Sequence, residues 1–222
     1  MYFLPLKVMT RNPGDLSAET RLDAYEMLTY ELNRTHLGQG MDIHWHNEKE
    51  IRITEAEYLE MCACKTGCLG RIVARLAAIV TGNGDAEAAV ADYAEDMAVA
   101  FQIADDALDI ENALEEGGEF GKGFGNDIRE GKKTLLASHA VENAPPEDAA
   151  RLEEILWADE NDDEEIIEAL EVLEAAGSVE YAWSVAAELS EASKSHLEGI
   201  GLDPEPKAKL AAFAEFVVDR ES

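Results

Sequence analysis

From Asp85 to Leu114 the chain runs without a glycine or a proline. Helix formers such as Ala, Glu, Leu and Met recur along this stretch, which is far too long for a strand, so it predicts one long helix. A rod of that length spans roughly 45 Å at about 1.5 Å per residue. Its C-terminal half carries FQIADDALD, residues 101–109, and the glycine-bearing segment GKGFGNDIREGKKT follows at 121–134.

The rest of the chain is divided by turn signals into more helices. Residues 17–37 show helical spacing through Leu22, Tyr25, Leu28 and Leu32, after Asn12, Pro13 and Gly14. Thr54 with Glu57 forms a capping box, and apolar residues then recur to Val80, before Gly82, Asn83 and Gly84. The segment 117–131 reads as a loop. Helical patterns follow at 134–142, 147–157, 163–176, 178–198 and 204–219, separated by Pro145, Pro146, Gly177, Gly199 and Pro204. Nothing alternates with period two and no repeat of fixed period is present, so the expected fold class is all-α, with residues 1–222 as one domain.

Acidic residues outnumber basic ones 48 to 18, giving a net charge of −30, yet 46% of the chain is hydrophobic and periodically placed. That combination describes a folded protein with an acidic surface rather than a disordered acidic chain. Such a surface repels nucleic acid, which excludes DNA and RNA as natural partners. Cys62, Cys64 and Cys68 crowd onto one helix, a poor geometry for disulfides, and point to reduced thiols and a cytoplasmic location. No apolar run reaches the roughly 20 residues of a membrane span, and MYFLPLKVM lacks the basic lead-in of a signal peptide. With neither cap nor polar lead-in, that first segment reads as the interior of a helix.

On a helix turning about 100° per residue, Asp105, Asp106 and Asp109 share a face with Gln102 and Phe101. Carboxylates this close repel unless a cation lies between them. Mg²⁺ suits the position, because it takes hard oxygen ligands and bridges to phosphates. A solvated acidic face is the plainer alternative. Of nine lysines, however, Lys65, Lys122, Lys132 and Lys133 lie in or beside this constellation, where an anion would need them. Gly121, Gly123 and Gly125 would let the loop backbone approach that anion closely. A zinc site built from His44, His46 and the three cysteines is a weaker reading, since Cys62 and Cys64 diverge by about 200° on a helix. Trp45, between those histidines, reads as a packing residue.

FQIADDALD followed by GKGFGNDIREGKKT resembles the second aspartate-rich motif and trailing loop of the trans-type isoprenyl diphosphate synthases, the polyprenyl synthetases. GQGMD at 38–42 and EYLEMCACKTG at 57–67 agree with the same family, in order and spacing. The resemblance implies an antiparallel helical bundle around a central cavity and an Mg²⁺-dependent condensation of isopentenyl diphosphate with an allylic prenyl diphosphate. By similarity, Asp105 ligates magnesium, while Asp106, Asp109 and Asp127 hold its waters. Lys65 and Lys122 grip the allylic diphosphate, Thr66, Gln102 and Phe101 line the site, and Lys132 supports it. Gln39 and Asp42 sit on a neighbouring cavity helix, and a homodimer is expected.

One departure stands beside these matches. The family's first aspartate-rich motif, DDxxD followed by paired arginines, is absent from residues 1–100. Asp162 and Asp163 read as a charge cluster at a helix N-terminus. The chain therefore resembles the family's C-terminal two-thirds: a fragment or mis-started product of a full synthase, or a short paralogue that binds prenyl diphosphate or partners a catalytic subunit.

The excess of Asp and Glu over Lys also matches adaptation to concentrated salt, where a Debye length of about 3 Å at 1 M removes the self-repulsion. Unfolding free energy measured by denaturant titration is expected to rise between low and molar KCl. A flat or falling response contradicts that adaptation.

Overall fold

A computed structural model describes residues 6–115 and 125–219, and every ordered element among them is helical. The helices are α1 (Lys7–Arg11), α2 (Ala18–Asn47), α3 (Glu55–Cys62), α4 (Cys68–Thr81), α5 (Glu87–Glu115), α6 (Asn126–Arg129), α7 (Leu135–Asn143), α8 (Pro146–Trp157), α9 (Asp163–Ala175), α10 (Ser178–His196) and α11 (Pro204–Val218). The all-α expectation holds.

The long rod expected from residue 85 is α5, preceded by a short 3₁₀ turn at Gly84–Ala86. It is the axis of the bundle, packing against α10 and α4 along its length and touching α3, α6, α7, α9 and α11. Small side chains make that possible: Ala91, Ala94, Ala98, Ala100, Ala104, Ala107 and Ala113 are all buried, so neighbouring helices approach its backbone from several sides. Ile103 on α5 meets Leu135 and Leu136 of α7, Leu152 and Ile155 of α8 and Ile166 of α9 in one core cluster, which also takes in Trp45. Local signals start these helices as expected. Glu57 N–H donates to Thr54 Oγ1 (3.3 Å) while Glu57 Oε2 accepts from Thr54 N–H (2.8 Å), a closed capping box. Asp162 and Glu165 close another at the start of α9, which accounts for that acidic pair.

Three departures from the sequence expectations bear on function. Helix α2 does not stop near residue 37 but runs through Gly38 and Gly40 to Asn47. Glycine costs helix stability, but here it provides clearance, because a Cβ on Gly38 would lie 2.4 Å from the backbone nitrogen of Lys65. The helix expected from 54 to 80 contains a π turn at Ala63–Gly67, carrying Lys65 and Thr66 and separating α3 from α4. Such one-turn expansions re-aim the side chains on either side of them. Within the expected loop 117–131, residues 126–129 form α6. Residues 117–124, with Lys122, Gly121 and Gly123, lie outside the described residues.

A buried charge ties the N-terminal half together. Glu31 of α2 has no exposed surface and accepts from Arg71 (3.0 Å) and Arg75 (2.7 Å) of α4. Burial alone would raise its pKa, but the hydrogen bonds from Arg75 and Arg71 outweigh it and hold the carboxyl below its usual value. Arg34 reaches across to Glu95 on α5 (3.1 Å), completing a three-helix staple.

Gly38→Ala is expected to destabilise the fold by about 1–3 kcal/mol, the range for forced overpacking, despite alanine's better helix propensity. Chemical denaturation checks it, and an unchanged or raised midpoint would show that the α2 contact with the π turn is not tight.

Candidate functional site

Where the C-terminal half of α5 passes the π turn, one carboxylate organises its neighbours. Asp106 is only 1% exposed and accepts three hydrogen bonds. Tyr58 OH donates to Oδ2 at 2.7 Å, while Gln102 Nε2 and Lys132 Nζ donate to Oδ1 at 3.0 and 2.8 Å. Thr66 Oγ1 in turn donates to Gln102 Oε1 at 3.1 Å, and Lys132 Nζ also donates to Asp127 Oδ2 at 2.8 Å. The Asp127 backbone hydrogen-bonds the Asp109 carboxyl. A continuous polar chain thus runs from the π turn through α5 to the segment after it.

The backbone around α6 explains how Lys132 arrives there. Gly131 adopts a left-handed conformation (φ 62°) just past the helix, and a Cβ at that position would sit 2.4 Å from the Leu156 carbonyl oxygen. The turn it makes lets Lys132 N–H donate back to the Asp127 carbonyl at 2.9 Å, so the lysine side chain folds over the same aspartate. On the opposite wall Lys65 Nζ contacts Asp42 Oδ2 of α2 at 2.6 Å, an approach that the missing Cβ of Gly38 permits.

The electrostatics follow from burial. Burial drives the Asp109 and Asp127 carboxyls above the usual carboxylate value, against the pull of Lys132. It also works against the charge of Lys132, but Asp106 and then Asp127 more than offset it and hold that ammonium firmly protonated. The Tyr58 phenol is pushed well above its ordinary value by burial and by the Asp106 charge, so it remains a donor. Asp109 Oδ2 is buried with no hydrogen-bond partner, which makes it a site able to receive a cation.

The expected helix face divides in two. Gln102, Asp106 and Asp109 turn inward, whereas Asp105 lies exposed at the solvent edge and Phe101 is partly buried one turn earlier. The spread of about 100° between Asp105 and Asp106 is enough to put one in water and the other in the interior. Gln39 is exposed on α2, one turn before Asp42. Tyr58 was missed. Its one sequence signal is its position seven residues, or two turns, before Lys65, and that is equally the spacing of an ordinary core tyrosine.

Magnesium fits this donor set: hard carboxylate oxygens, one of them orphaned. Among the described residues no three His, Cys, Asp or Glu side chains form a ready-made ion cage. Mg²⁺ is commonly held by only one or two carboxylates, so the lack of such a cage does not conflict with that fit. The proposed zinc ligands are placed differently. Cys62, Cys64 and Cys68 are buried free thiols, with Cys62 and Cys68 pushed to about 12 by burial, while His44 and His46 are exposed on α2.

An all-helical bundle thus holds Asp106 and Asp127 against Lys132. The chain belongs to the polyprenyl synthetase family, whose model matches residues 1–173. It is 37% identical over 185 residues to the short chain isoprenyl diphosphate synthase of Methanothermobacter thermautotrophicus, covering 83% of this chain and 54% of that protein. It is 34% identical to the geranylfarnesyl diphosphate synthase of Natronomonas pharaonis over 206 residues, 91% of this chain and 56% of the relative. The fold superposes on the geranylgeranyl pyrophosphate synthetase of Pyrococcus horikoshii with a TM-score of 0.81 at 27% identity, covering 97% of this chain and 63% of that one. The chain thus spans little more than half the length of these curated relatives.

Tyr58→Phe leaves Asp106 Oδ2 without its donor and is expected to cost about 1–3 kcal/mol in unfolding free energy. Lys132→Met strands a buried carboxylate and should cost more, about 3 kcal/mol, the low end of the range because the lysine is partly exposed. Equal and small losses in urea titration would show that Asp106 is not held by this network.

Proposed function

We propose that this chain carries the diphosphate-ionising half of an isoprenyl diphosphate synthase site, for the Mg²⁺-dependent condensation of isopentenyl diphosphate with an allylic prenyl diphosphate. The observation that carries this reading is the Asp106 network, in which scarce lysine is placed against buried aspartates in a chain of net charge −30. Asp105 and Asp109 would hold the metal, with Asp106 and Asp127 fixed behind them to orient its waters. When bound, Mg²⁺ supplies positive charge to the departing diphosphate.

The protein's own part is binding and orientation. Lys65, on the π turn, would exchange its contact with Asp42 for a phosphate oxygen of the allylic substrate. Lys122 would meet the same diphosphate from the 117–124 segment. Lys132 remains paired to Asp106 and Asp127, holding both side chains in place. Thr66, Gln102, Phe101 and Gln39 would line the approach. As the allylic C–O bond breaks, its electron pair leaves with the diphosphate. The double bond of isopentenyl diphosphate then forms the new C–C bond, and a proton departs. Fixed donors aimed at the leaving group stabilise the charge as it develops.

The same reading makes residues 1–222 one domain and a homodimer, located in the cytoplasm of a cell with concentrated internal salt. Leu22, Tyr30 and Leu37 on α2 and Leu69 and Val73 on α4 are exposed apolar side chains on adjoining helices, Val73 to 71%. No helix among the described residues is long and apolar enough to cross a membrane. A second reading, a member that binds prenyl diphosphate or partners a catalytic subunit, has one observation in its favour: the sequence carries a single DDxxD segment, at 105–109.

Labelled isopentenyl diphosphate, supplied with geranyl, farnesyl or dimethylallyl diphosphate in molar KCl with Mg²⁺, is expected to enter longer prenyl products. Asp105→Ala should cut that rate by at least ~10²-fold. Absence of product alongside retained diphosphate binding selects the second reading, and a monomer in light scattering contradicts the dimer.

A further inference from the structure

Away from the aspartates, on the far side of the segment that carries Lys132, lies a pocket of about 320 Å³. It is formed by residues 51–54 between α2 and α3, by α7 and by α8, and nothing in the proposed condensation uses it. Ile51, Ile53, Val141, Leu156 and Trp157 give it apolar walls. Lys133 also lines it. The backbone that points Lys132 at Asp106 sends the next side chain the other way, and Lys133 Nζ donates to the Lys49 carbonyl at 2.6 Å.

The charges facing Lys133 can be set out element by element. From α8, Glu153 favours its charged form, but that carboxylate is already engaged by Arg52 of the 51–54 segment (2.6 Å). Lys49, also from the α2–α3 connection, opposes the charge, and its own amine is directed to the Ala158 carbonyl (2.6 Å) and to Asp159. Glu142 of α7 stands exposed at the rim. Burial dominates this balance and brings the Lys133 amine down to about 8. A primary amine that is partly neutral near physiological pH, set at the wall of an apolar cavity, is the arrangement that activates lysine toward carbonyl carbon. The apolar walls formed by Ile51, Ile53, Val141, Leu156 and Trp157 suit a hydrocarbon chain, so the fitting electrophile is an uncharged, apolar one.

We propose that Lys133 is an imine-forming site for a neutral aliphatic aldehyde whose hydrocarbon chain occupies this pocket. The amine nitrogen adds its lone pair to the carbonyl carbon, and its protons pass to the carbonyl oxygen. Water then leaves as the C=N bond forms, with no oxidant or reductant required. The adduct gives up the bond to the Lys49 carbonyl, releasing the α2–α3 connection from the turn that carries Lys132.

The test uses the full chain in molar KCl at pH 7, with hexanal as probe and cyanoborohydride to fix any imine as a secondary amine, followed by peptide mass mapping. At that pH an amine with a pKa of about 8 is about 10% neutral, against well under ~0.1% for an ordinary lysine near 10.4. Lys133 is therefore expected to be alkylated on the order of tenfold faster or more than Lys207 and Lys209, with a rate that levels off above about pH 8. Mapping separates it from the α-amino group, which titrates in the same range. Ser138→Leu, which narrows the pocket, should abolish the preference of Lys133 for hexanal over formaldehyde while leaving the helical circular dichroism intact. Labelling of Lys133 no faster than the surface lysines overturns the proposal. So does fast labelling that is indifferent both to chain length and to Ser138→Leu.

Discussion

A fully buried carboxylate is the constraint around which this bundle is arranged. A carboxyl group in the interior needs hydrogen-bond partners, and those of Asp106 come from three parts of the chain: Tyr58 on α3, Gln102 one turn back on α5, and Lys132 after α6. Each donor needs its own support. Tyr58 requires the capping box that starts α3, and Lys132 requires the left-handed turn at Gly131. An exchange of Asp106 for a hydrophobic residue could pack as well, so stability alone does not explain the arrangement. Holding Asp105 and Asp109 on a rigid face explains it better: Asp109 keeps an unpartnered buried oxygen, a cost that a bound cation would recover.

Basic charge is scarce, and part of it is turned inward. Against 48 acidic residues, Arg71 and Arg75 are placed on the buried Glu31, with Arg34 beside them bridging to Glu95, and Lys132 is placed on Asp106 and Asp127. The outside carries mostly carboxylates, whose mutual repulsion falls with ionic strength, while the buried pairs are screened far less. High salt would therefore relax the surface without dissolving the site. The same arrangement gives Lys133 its character: with Glu153 already committed to Arg52, the amine is left in a pocket that does little to stabilise its charge.

What the sequence disclosed divides along the range of the interactions. Local rules were sufficient for the capping box at Thr54, for the acidic helix start at Asp162, for the breaks at Pro145, Pro146 and Gly177, and for the uninterrupted α5, because each depends on residues a few positions apart. The resemblance carried by FQIADDALD and GKGFGNDIREGKKT indicated the family and drew attention to the C-terminal half of α5. Contacts across the fold were hidden. Gly38 looks like a helix stop until the Lys65 backbone is seen against it, and nothing in CKTG distinguishes a π turn from ordinary helix. Asp105 and Asp106 are neighbours with the same side chain, and only the packing of α3 and Lys132 decides which is buried. Tyr58 is invisible for the same reason, since its hydroxyl matters only once Asp106 faces it.

Calorimetric titration of the full chain with inorganic diphosphate in molar KCl, with and without Mg²⁺, addresses the central claim most directly. The account predicts saturable binding that requires Mg²⁺ and is weakened by Asp109→Asn, a substitution that removes charge without changing shape. Binding that is indifferent to Mg²⁺, or no binding in its presence, would contradict a metal-diphosphate site built on the Asp106 network.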